Sequence, residues 1–467
     1  MRKEPLYVSN SEKQAMEDAA EAFLLLPERP QTYYIETYGC QMNAHDSEKL
    51  AGILQSMGMT EAEEKNKADF VLFNTCCIRD NAERRALGNV NWLKELRKDK
   101  KDLIIGVCGC MVQQAHMAEK ILKQYRFIDL AFGTHNLYQL PGLLHRLLTE
   151  KGRVVSVTQE ENLIAEGLPV QRLHRDHAYI TIMYGCNNYC SYCVVPYVRG
   201  RERSRRMTDI LREAESLQKS GVMEITLLGQ NVNSYRGDEG EGFPDLLKAL
   251  DDMGIPRIRF MTSHPKDLSD ELIAVMADSK HICNHFHLPV QSGSNAVLQA
   301  MNRGYTREDY LQRVGALRKA IPHIGLTTDI IVGFPGETEE QFLETLSLIE
   351  EVGFDAAFTF IYSPRQGTKA AEMEGQISKE VSGERFKRLL AVVEVSIRKT
   401  HRAMIGQAEQ VLVESLSKRD RTKVSGKGTR SITITLDGTA ADVGKIVPVK
   451  ITSAAANTLR GERIVKE

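Results

Sequence analysis

The 467-residue chain lacks any apolar run approaching the roughly 18 residues that a membrane-spanning helix needs. It also lacks a secretory signal, because its brief early apolar run at residues 22–26 lies within an acidic stretch. An excess of charge of one sign is missing too, since 61 lysine and arginine residues face 62 aspartate and glutamate residues. These absences predict a cytoplasmic protein with no membrane partner and no overall attraction toward nucleic acid.

Disulfides are not expected in such a compartment, so the nine cysteines become candidates for metal ligands or redox groups. Hydrophobic residues make up 42% of the chain, which supplies material for buried cores and excludes a disordered protein. At about 150 residues per domain, the length suggests roughly three domains.

Strand-like and helix-like stretches alternate along most of the chain, which predicts α/β domains built on parallel sheets. We expect an N-terminal extension at residues 1–30 and a parallel-sheet α/β domain at 31–150, followed by a linker at about 151–177. Six longer strand–helix units within 172–402 predict an open, partial (β/α)6 barrel. Short β-like runs separated by glycines at 404–467 predict a small antiparallel barrel of the OB type.

The expected strands can be placed from their apolar patterns. For the first domain they cover residues 32–38, 68–74, 102–108 and 127–132. For the partial barrel they cover 178–184, 222–228, 257–262, 285–290, 325–332 and 356–362. A charged helix at about 379–403 precedes the terminal runs at 410–414, 431–436 and 446–451.

Cys186, Cys190 and Cys193 form a CxxxCxxC loop directly after the first strand predicted for the partial barrel. Three thiolates from one loop can hold three irons of a cubane cluster and leave the fourth iron open. An open iron can chelate the amino and carboxylate groups of S-adenosylmethionine. A structural zinc site needs a fourth ligand, for which only His174 and His177 are near. Zinc or a closed electron-transfer cluster is therefore the weaker alternative.

Cys40, Cys76 and Cys110 each follow one of three successive strands of the first domain. Ligands bind beyond the carboxyl ends of strands in open parallel sheets, so these thiols are expected to converge there. The pattern predicts a second cluster with its own open iron. Free cysteines are often small buried core residues, and that interpretation is preferred for Cys77, Cys108 and Cys283.

The cysteine loop resembles that of the radical S-adenosylmethionine (radical SAM) superfamily, and the run at 325–337 resembles its fifth-strand motif. The resemblance implies that Tyr192 lies beside the adenine of the cofactor. The family usually has Gly-Glu at the second strand end, where this chain has Gly229 and Gln230. The cofactor-binding residues implied in this way are Tyr192, Gly229, Gln230, Asp329, Ile331 and Gly333.

Residues 31–467 together resemble the methylthiotransferases of that superfamily. The stretches that carry the resemblance lie at 37–43, 74–79 and 110–111. They imply two [4Fe-4S] clusters, with Cys40, Cys76 and Cys110 holding the auxiliary one. They also imply that residues 404–467 form a TRAM domain, an RNA-binding module.

Stretches at 194–200, 229–235 and 360–365 resemble family members that modify bacterial tRNA. The implied reaction adds a methylthio group to C2 of N6-dimethylallyladenosine at tRNA position 37, next to the anticodon, and uses two S-adenosylmethionine molecules. The partners implied are a tRNA anticodon loop with prenylated adenosine and a reducing electron donor, and a monomer is expected. The C2–H bond requires a cofactor, because acid–base catalysis, worth about 10²–10⁴-fold, cannot activate it.

Two alternatives stay open. The first is a methylthiotransferase acting on threonylcarbamoyl-adenosine in tRNA or on a ribosomal-protein aspartate. The second is a non-catalytic iron–sulfur protein that binds RNA.

Several other polar and aromatic residues have two interpretations each. Five arginines follow the cysteine loop, at positions 199, 201, 203, 205 and 206. One interpretation is that they bind RNA phosphates or the cofactor carboxylate, and the other is that they belong to a solvated surface loop. Tyr184, Tyr189 and Tyr197 either stack on a base or pack in the core, and His264, His285 and His287 are interpreted as polar lining or core. Six basic residues between 418 and 430 either contact RNA or form a charged surface loop.

Overall fold

The computed structural model describes residues 5–77, 80–158, 163–455 and 458–464. It divides into two compact units. The first comprises Met1–Leu173, Met183–Asn187 and Cys193–Arg205, and the second comprises His174–Ile182, Asn188–Tyr192 and Arg206–Glu467. Within the described ranges, no helix has both the length and the apolar character that crossing a membrane requires. The last two residues of the 74–79 stretch lie outside the described residues.

The first unit is built on a six-stranded, fully parallel sheet. Its strands, in spatial order, are Thr60–Glu61, Thr32–Thr37, Phe70–Thr75, Ile104–Gly109, Leu130–Phe132 and Val154–Ser156. The helices of this unit are Asn10–Leu24, Gln41–Ser56, Asp80–Asp99, Cys110–Gln113, Ala115–Gln124, Leu140–Thr149 and Val195–Val198, with a 3₁₀ turn at Leu137–Gln139.

Hydrophobic cores cover both faces of this sheet. Phe70 and Leu72 pack into one cluster, whereas Val71 and Phe73, which point to the opposite face, pack into another. A parallel sheet buried on both sides is what the alternating strand–helix pattern predicts, and this prediction is confirmed.

The linker predicted at 151–177 is wrong in part, because Val154–Ser156 pairs in parallel with Leu130–Phe132 and extends the sheet. Val154 is buried, but three residues are too few to show a strand period among charged neighbours.

The N-terminal extension belongs to the same core. Helix Asn10–Leu24 begins with a capping box in which Ser9 and Glu12 exchange hydrogen bonds. Phe23 near its end is fully buried in the cluster that contains Leu50. Residues Leu6–Tyr7 also pair with Leu163–Ile164 in a small parallel sheet.

The second unit contains six parallel strands in two three-stranded sheets, neither of which closes on itself. The first sheet has the order Arg257–Phe260, Glu224–Leu228, His177–Thr181, and the second has the order His285–His287, Gly325–Val332, Ala356–Ile361. An isolated parallel bridge joins Ile258 to Ile282. The predicted open partial barrel of six strands is therefore confirmed. The predicted first strand is shorter, because Met183–Tyr184 instead pairs antiparallel with Arg203–Ser204 within the first unit.

Helices alternate with these strands as the sequence pattern predicts. They are Met207–Lys219, Phe243–Asp252, Asp270–Asp278, Asn295–Ala300, Arg307–Ala320, Glu339–Val352 and Lys379–Ala403, with 3₁₀ turns at Val232–Ser234, Pro265–Asp267, Lys369–Ala371 and Ala440–Asp442.

The C-terminal residues form a closed five-stranded barrel. Four of its five pairings are antiparallel, and Thr433–Asp437 with Leu459–Arg463 is parallel. A side chain at Gly426 would collide with the Leu412 carbonyl, so close strand packing requires glycine there. The strands are Ala408–Leu416, Lys423–Lys427, Thr433–Asp437, Ile446–Ala454 and Leu459–Arg463.

Buried arginines attach this small barrel to the rest of the second unit. Arg257 donates hydrogen bonds to the carbonyls of Lys427 and Gly428 at 2.9 and 3.0 Å, and Arg259 donates to Gly428 at 2.6 Å. Glu224 lies 2.9 Å from both guanidinium groups and offsets their charge. Residues 427–430 are thus an attachment segment of the small barrel. A count of basic residues in the sequence does not show this role.

Replacing Phe23 with alanine tests whether the extension is part of the folded core. We expect a loss of about 3–5 kcal/mol in the free energy of unfolding, because the change leaves a cavity in a packed cluster. Leu25→Ala is the matched control, since Leu25 is 84% exposed and its truncation should cost less than about 0.5 kcal/mol. Urea unfolding measures both, and equal losses would contradict an integral extension.

Candidate functional site

Three cysteines of the first unit lie at the carboxyl ends of neighbouring strands. Cys40 is the N-cap of helix Gln41–Ser56, Cys76 directly follows strand Phe70–Thr75, and Cys110 begins the short helix after strand Ile104–Gly109. These strands are adjacent in the sheet. The carboxyl ends of parallel strands share one edge, which brings the three thiols to one place.

Asn43 links these three strand ends. Its side-chain oxygen lies 3.8 Å from the Cys40 sulfur and 3.9 Å from the Cys110 sulfur. Its amide nitrogen donates to the Thr75 carbonyl, next to Cys76, at 3.0 Å. The predicted convergence of the three cysteines thus has a geometric basis in one buried amide.

Gly39 leaves room for this arrangement. Its φ of +122° is accessible mainly to glycine, and an added Cβ would lie 2.5 Å from the Cys76 Cβ and 3.0 Å from its sulfur. Cys76 and Cys110 are buried, whereas Cys40 is exposed. The three thiols therefore form a cradle at this edge of the sheet, made of the residue type that holds iron–sulfur clusters.

Arg199 lies beside the cradle. It is only 4% exposed, and its Nε lies 3.3 Å from the Cys110 sulfur. Its Nη2 donates to Asp46 at 2.7 Å and to Asn43 at 3.0 Å. The pKa of Cys110 is lowered to about 6, first by a hydrogen bond with Cys77 and then by the Arg199 guanidinium, against the effect of burial. Thiolate, the form that binds iron, is favoured at this position.

The cysteines interpreted as structural are all buried. Cys77 packs with Cys110, Val194 and Val198 in a small cluster. Cys108 belongs to one core of the sheet, and burial raises its pKa well above the usual value, so it stays a neutral thiol. Cys77 thus lies next to the predicted ligand Cys110, with which it also forms a hydrogen bond.

The CxxxCxxC loop contributes residues to both units, Cys186 and Cys193 to the first and Cys190 to the second. In the first unit, the Cys186 N–H donates to the Gly200 carbonyl at 3.1 Å. Asn187 and Glu202 exchange two hydrogen bonds, from each backbone N–H to the other side chain, at 3.2 and 3.1 Å. Both contacts hold the start of the loop against the segment that follows it.

In the second unit, Arg303 contacts the Cys190 sulfur. Its Nη1 lies 3.4 Å from that sulfur, while its Nη2 donates to the Pro289 carbonyl at 2.8 Å and its Nε donates to the Tyr305 hydroxyl at 3.0 Å. Arg303 is 113 positions from Cys190 in the chain, and only the fold brings the two together.

The residues predicted to bind S-adenosylmethionine lie in the second unit. Tyr192 packs against the cluster that contains Ile331 and Phe334. Gly229 and Gln230 directly follow strand Glu224–Leu228, and Gly229 is buried.

Two further residues of that set lie on or just after strand Gly325–Val332. The half-buried Asp329 has a carboxylate oxygen 3.7 Å from Nε2 of His287. Gly333 has a φ of +72°, and its N–H donates to Glu337 at 2.8 Å. The structure thus brings Tyr192 and Ile331 into one cluster and pairs Asp329 with His287.

Burial contradicts the solvated-loop interpretation for three of the five arginines, and it leaves those three no exposed guanidinium for RNA phosphates. Arg199, Arg203 and Arg205 are buried, while Arg201 and Arg206 are exposed. Arg203 donates to the Arg199 carbonyl at 2.8 Å, and Arg205 pairs with Glu166 at 2.5 Å. The sequence shows the charges of these arginines but carries no signal of their buried partners.

The tyrosine and histidine candidates separate by exposure. Tyr189 and Tyr197 are exposed, whereas Tyr184 is half-buried. His285 Nε2 and His287 Nδ1 both lie 2.9 Å from the Thr327 hydroxyl. These histidines, together with the buried His264, fit the interpretation as polar lining or core.

Comparison with family models identifies three regions of the chain. Residues 180–349 match the radical SAM superfamily, residues 32–133 match uncharacterized protein family UPF0004, and residues 402–464 match the TRAM domain.

Curated relatives match nearly the whole chain. A tRNA-2-methylthio-N(6)-dimethylallyladenosine synthase of Clostridium tetani is 51% identical over 93% of this chain and 96% of its own length. A synthase of the same name from Alkaliphilus oremlandii is 51% identical over 92% of both chains. The chain belongs to the radical SAM methylthiotransferase family. The predicted enzyme class is confirmed, and the superfamily bears out S-adenosylmethionine and an iron–sulfur cluster as cofactors.

Solved structures share the fold. The radical SAM methyltransferase TsrM of Kitasatospora setae matches with a TM-score of 0.54 at 16% identity, over 73% of this chain and 75% of that chain. At this identity the match supports the α/β and radical SAM architecture and says nothing about substrate.

Substituting Arg199 tests the ion pair beside the cysteine cradle. We expect Arg199→Met to lower the free energy of unfolding by about 3–5 kcal/mol, because it leaves the Asp46 carboxylate buried without its cation. The double variant Arg199→Met with Asp46→Leu should recover part of this loss.

Arg201→Met is the matched control, since Arg201 is exposed two residues away, and it should change stability by less than about 0.5 kcal/mol. Anaerobic urea unfolding measures all variants. A loss for Arg199→Met no larger than that for Arg201→Met would show that the buried pair is not stabilising.

Proposed function

We propose that this enzyme adds a methylthio group to C2 of N6-dimethylallyladenosine at position 37 of tRNA, using two S-adenosylmethionine molecules. The observation that supports this most directly is the convergence of Cys40, Cys76 and Cys110 around Asn43, in a chain that also carries a CxxxCxxC loop. The names of the curated relatives support the same nucleoside as substrate.

We assign one [4Fe-4S] cluster to Cys186, Cys190 and Cys193, with an iron left for S-adenosylmethionine. A second [4Fe-4S] cluster is assigned to Cys40, Cys76 and Cys110. When bound, these groups supply the one-electron cleavage and the sulfur chemistry that side chains cannot provide.

Residues of this chain position those groups. Arg303 donates to Cys190, and Arg199 brings a positive charge to Cys110, where thiolates accumulate negative charge. The apolar cluster around Tyr192 and Ile331 offers a surface for the adenine. We propose that Gly229, Gln230, Asp329 and Gly333 complete the S-adenosylmethionine site.

Recognition of tRNA is proposed for the terminal barrel within 404–467, which has 11 basic against 7 acidic residues, a net charge of +4. Lys418, Arg419 and Arg421 are exposed and suited to phosphate contacts, whereas Lys427 and Arg430 lie partly buried at the attachment segment. The domain boundaries proposed are 31–150, 172–402 and 404–467. A reducing electron donor and a monomeric enzyme complete the proposal.

Cysteine variants separate the two clusters. We expect the Cys40/Cys76/Cys110 triple alanine variant to lose about half of its iron, because one of two equal clusters is removed. It should still form 5′-deoxyadenosine from S-adenosylmethionine, whereas Cys190→Ala should not. Neither variant should restore methylthiolated prenyl-adenosine to tRNA of a deletion strain, as measured by nucleoside analysis.

Cys283→Ala is the control, because Cys283 is buried and lies far in sequence from both predicted sets of ligands. This variant should keep full iron content and activity. Full iron in the triple variant would mean that its cysteines are structural. Normal methylthiolated prenyl-adenosine in the deletion strain would point to threonylcarbamoyl-adenosine or a ribosomal-protein aspartate as substrate. Absence of 5′-deoxyadenosine with wild-type protein would favour a non-catalytic RNA-binding protein.

Charge removal on the barrel tests the RNA surface. Alanine at Lys418, Arg419 and Arg421 should weaken tRNA binding and reduce the slope of log K against log salt by about 2–3, because each phosphate contact contributes nearly one unit. The matched control removes three exposed lysines from helix Lys379–Ala403, at positions 379, 387 and 399. Equal slopes for the two triple variants, measured by titration with tRNA, would assign the barrel residues to solubility.

A further inference from the structure

Two histidines and an aspartate form a small cluster where the chain enters the partial barrel. His174 and Asp176 lie just before strand His177–Thr181, and the first residue of that strand is the second histidine. One nitrogen of each imidazole and one oxygen of the carboxylate all lie within 4.8 Å of one another. All three residues belong to the second unit, and they are separate from the proposed ligands of the clusters and of S-adenosylmethionine.

The neighbouring strand holds the backbone of this cluster in place. The Asp176 carbonyl accepts hydrogen bonds from the N–H groups of Met223 and Glu224, at 2.8 and 3.1 Å. His177 lies opposite Glu224 in the register of the parallel sheet. Two of the three side chains therefore start from backbone that is already ordered, so a ligand bound by them need not order that backbone.

Two buried atoms of the cluster have no hydrogen-bond partner among the described residues. They are Oδ2 of Asp176 and Nδ1 of His177. The side chains are only 12% and 16% exposed, and Oδ1 of Asp176 lies 3.8 Å from Nδ1 of His177, which is too far for a hydrogen bond. Unpaired polar atoms are costly in a protein interior, and coordination of a cation satisfies both of them at once.

His174 supplies a third ligand that is able to move. Its ring stacks on the ring of His177, with the ring centres 4.1 Å apart and the planes inclined by 24°. Stacked rings direct their nitrogen lone pairs in nearly parallel directions, so a shared ion requires one ring to rotate. His174 is exposed, which makes other side-chain rotamers accessible to it. The site thus closes by rotation of one surface side chain.

The donor atoms select the class of ion. Imidazole nitrogen and carboxylate oxygen bind zinc at about 2.0–2.2 Å, whereas magnesium and calcium prefer oxygen ligands alone. Around a tetrahedral zinc ion such donors lie roughly 3.4 Å apart, a distance that rotation of His174 brings within reach. We propose that His174, Asp176 and His177 bind a zinc ion, with water at the fourth position.

The place of the site in the fold indicates a structural role for the ion. An added Cβ at Gly444 would lie 3.5 Å from the Asp176 side chain, so a turn of the terminal barrel packs against the cluster. Glu224, opposite His177, also pairs with the two arginines that attach that barrel. A zinc ion here holds the start of the partial barrel beside the terminal barrel. This role is independent of the proposed reaction on tRNA.

Anomalous diffraction locates the ion without relying on turnover. Crystals of the tag-free anaerobic holoenzyme, in which the clusters occupy their thiols, are soaked in zinc chloride. Data collected above and below the zinc absorption edge distinguish zinc from iron. We expect a zinc peak between His174, Asp176 and His177 in the wild type. The peak should be lost in His174→Ala and should remain in His323→Ala, the matched control, which removes another exposed histidine of the same unit.

Competition with a zinc-binding dye gives the affinity in solution. We expect the holoenzyme to bind one zinc ion per chain at this site and His174→Ala to bind it at least tenfold more weakly, because one ligand is lost. His174→Cys, which supplies another zinc ligand, should retain tight binding. Zinc should also raise the midpoint of thermal unfolding of the wild type and of His323→Ala, but not that of His174→Ala, because the ion binds the folded chain.

A wild-type crystal without zinc at these three residues would overturn the inference. A peak that persists in His174→Ala would overturn it too, since it would mark an adventitious ion only. Equal zinc affinities, or equal shifts of the unfolding midpoint, for His174→Ala and His323→Ala would have the same meaning. Failure of the proposed function would leave all of these results unchanged, because none of them measures methylthiolation.

Discussion

A buried guanidinium connects the elements on which the chemistry of the first unit depends. Arg199 contacts the Asp46 carboxylate, the Asn43 amide and the Cys110 sulfur, and all four groups are nearly removed from water. A guanidinium in this position is tolerated because it finds a carboxylate on one side and thiol sulfur on the other. The same contacts connect the segment after the radical SAM loop to the helix that follows Cys40.

The parallel sheet forms the edge that carries the three cysteines of the first unit, and a few side chains hold those cysteines in place. Parallel strands place Cys40, Cys76 and Cys110 at one edge without any spacing motif in the chain. Asn43 then joins the three strand ends, and Gly39 leaves the space that the Cys76 sulfur occupies. The radical SAM loop differs in kind, because its three cysteines are close in sequence and need only local backbone contacts, such as that from Cys186 to Gly200.

The parts of the structure that follow periodic or motif-based rules are predictable from the sequence. The alternation of strands and helices gave the parallel sheet, the six-stranded partial barrel and the helix Lys379–Ala403, and the cysteine spacing gave the superfamily. It did not give the strand Val154–Ser156, which is too short for a period, or the parallel pairing inside the terminal barrel. Arg303 near Cys190 was missed because contacts between distant positions depend on the fold and not on local pattern.

The structural role of a charged residue is the feature hardest to predict from the sequence, for a physical reason. A basic residue can face solvent, neutralise a buried carboxylate or donate to carbonyls, and its sequence neighbours do not distinguish these cases. After the radical SAM loop, Arg199, Arg203 and Arg205 are buried, whereas Arg201 of the same cluster is exposed.

Arg257 and Arg259, on a strand of the partial barrel, donate to the carbonyls of residues 427–429, so that end of the basic segment faces the partial barrel and not solvent. The remaining exposed residues, Lys418, Arg419 and Arg421, occupy one short loop, which is a smaller and better defined surface for RNA than the net charge of the segment implies.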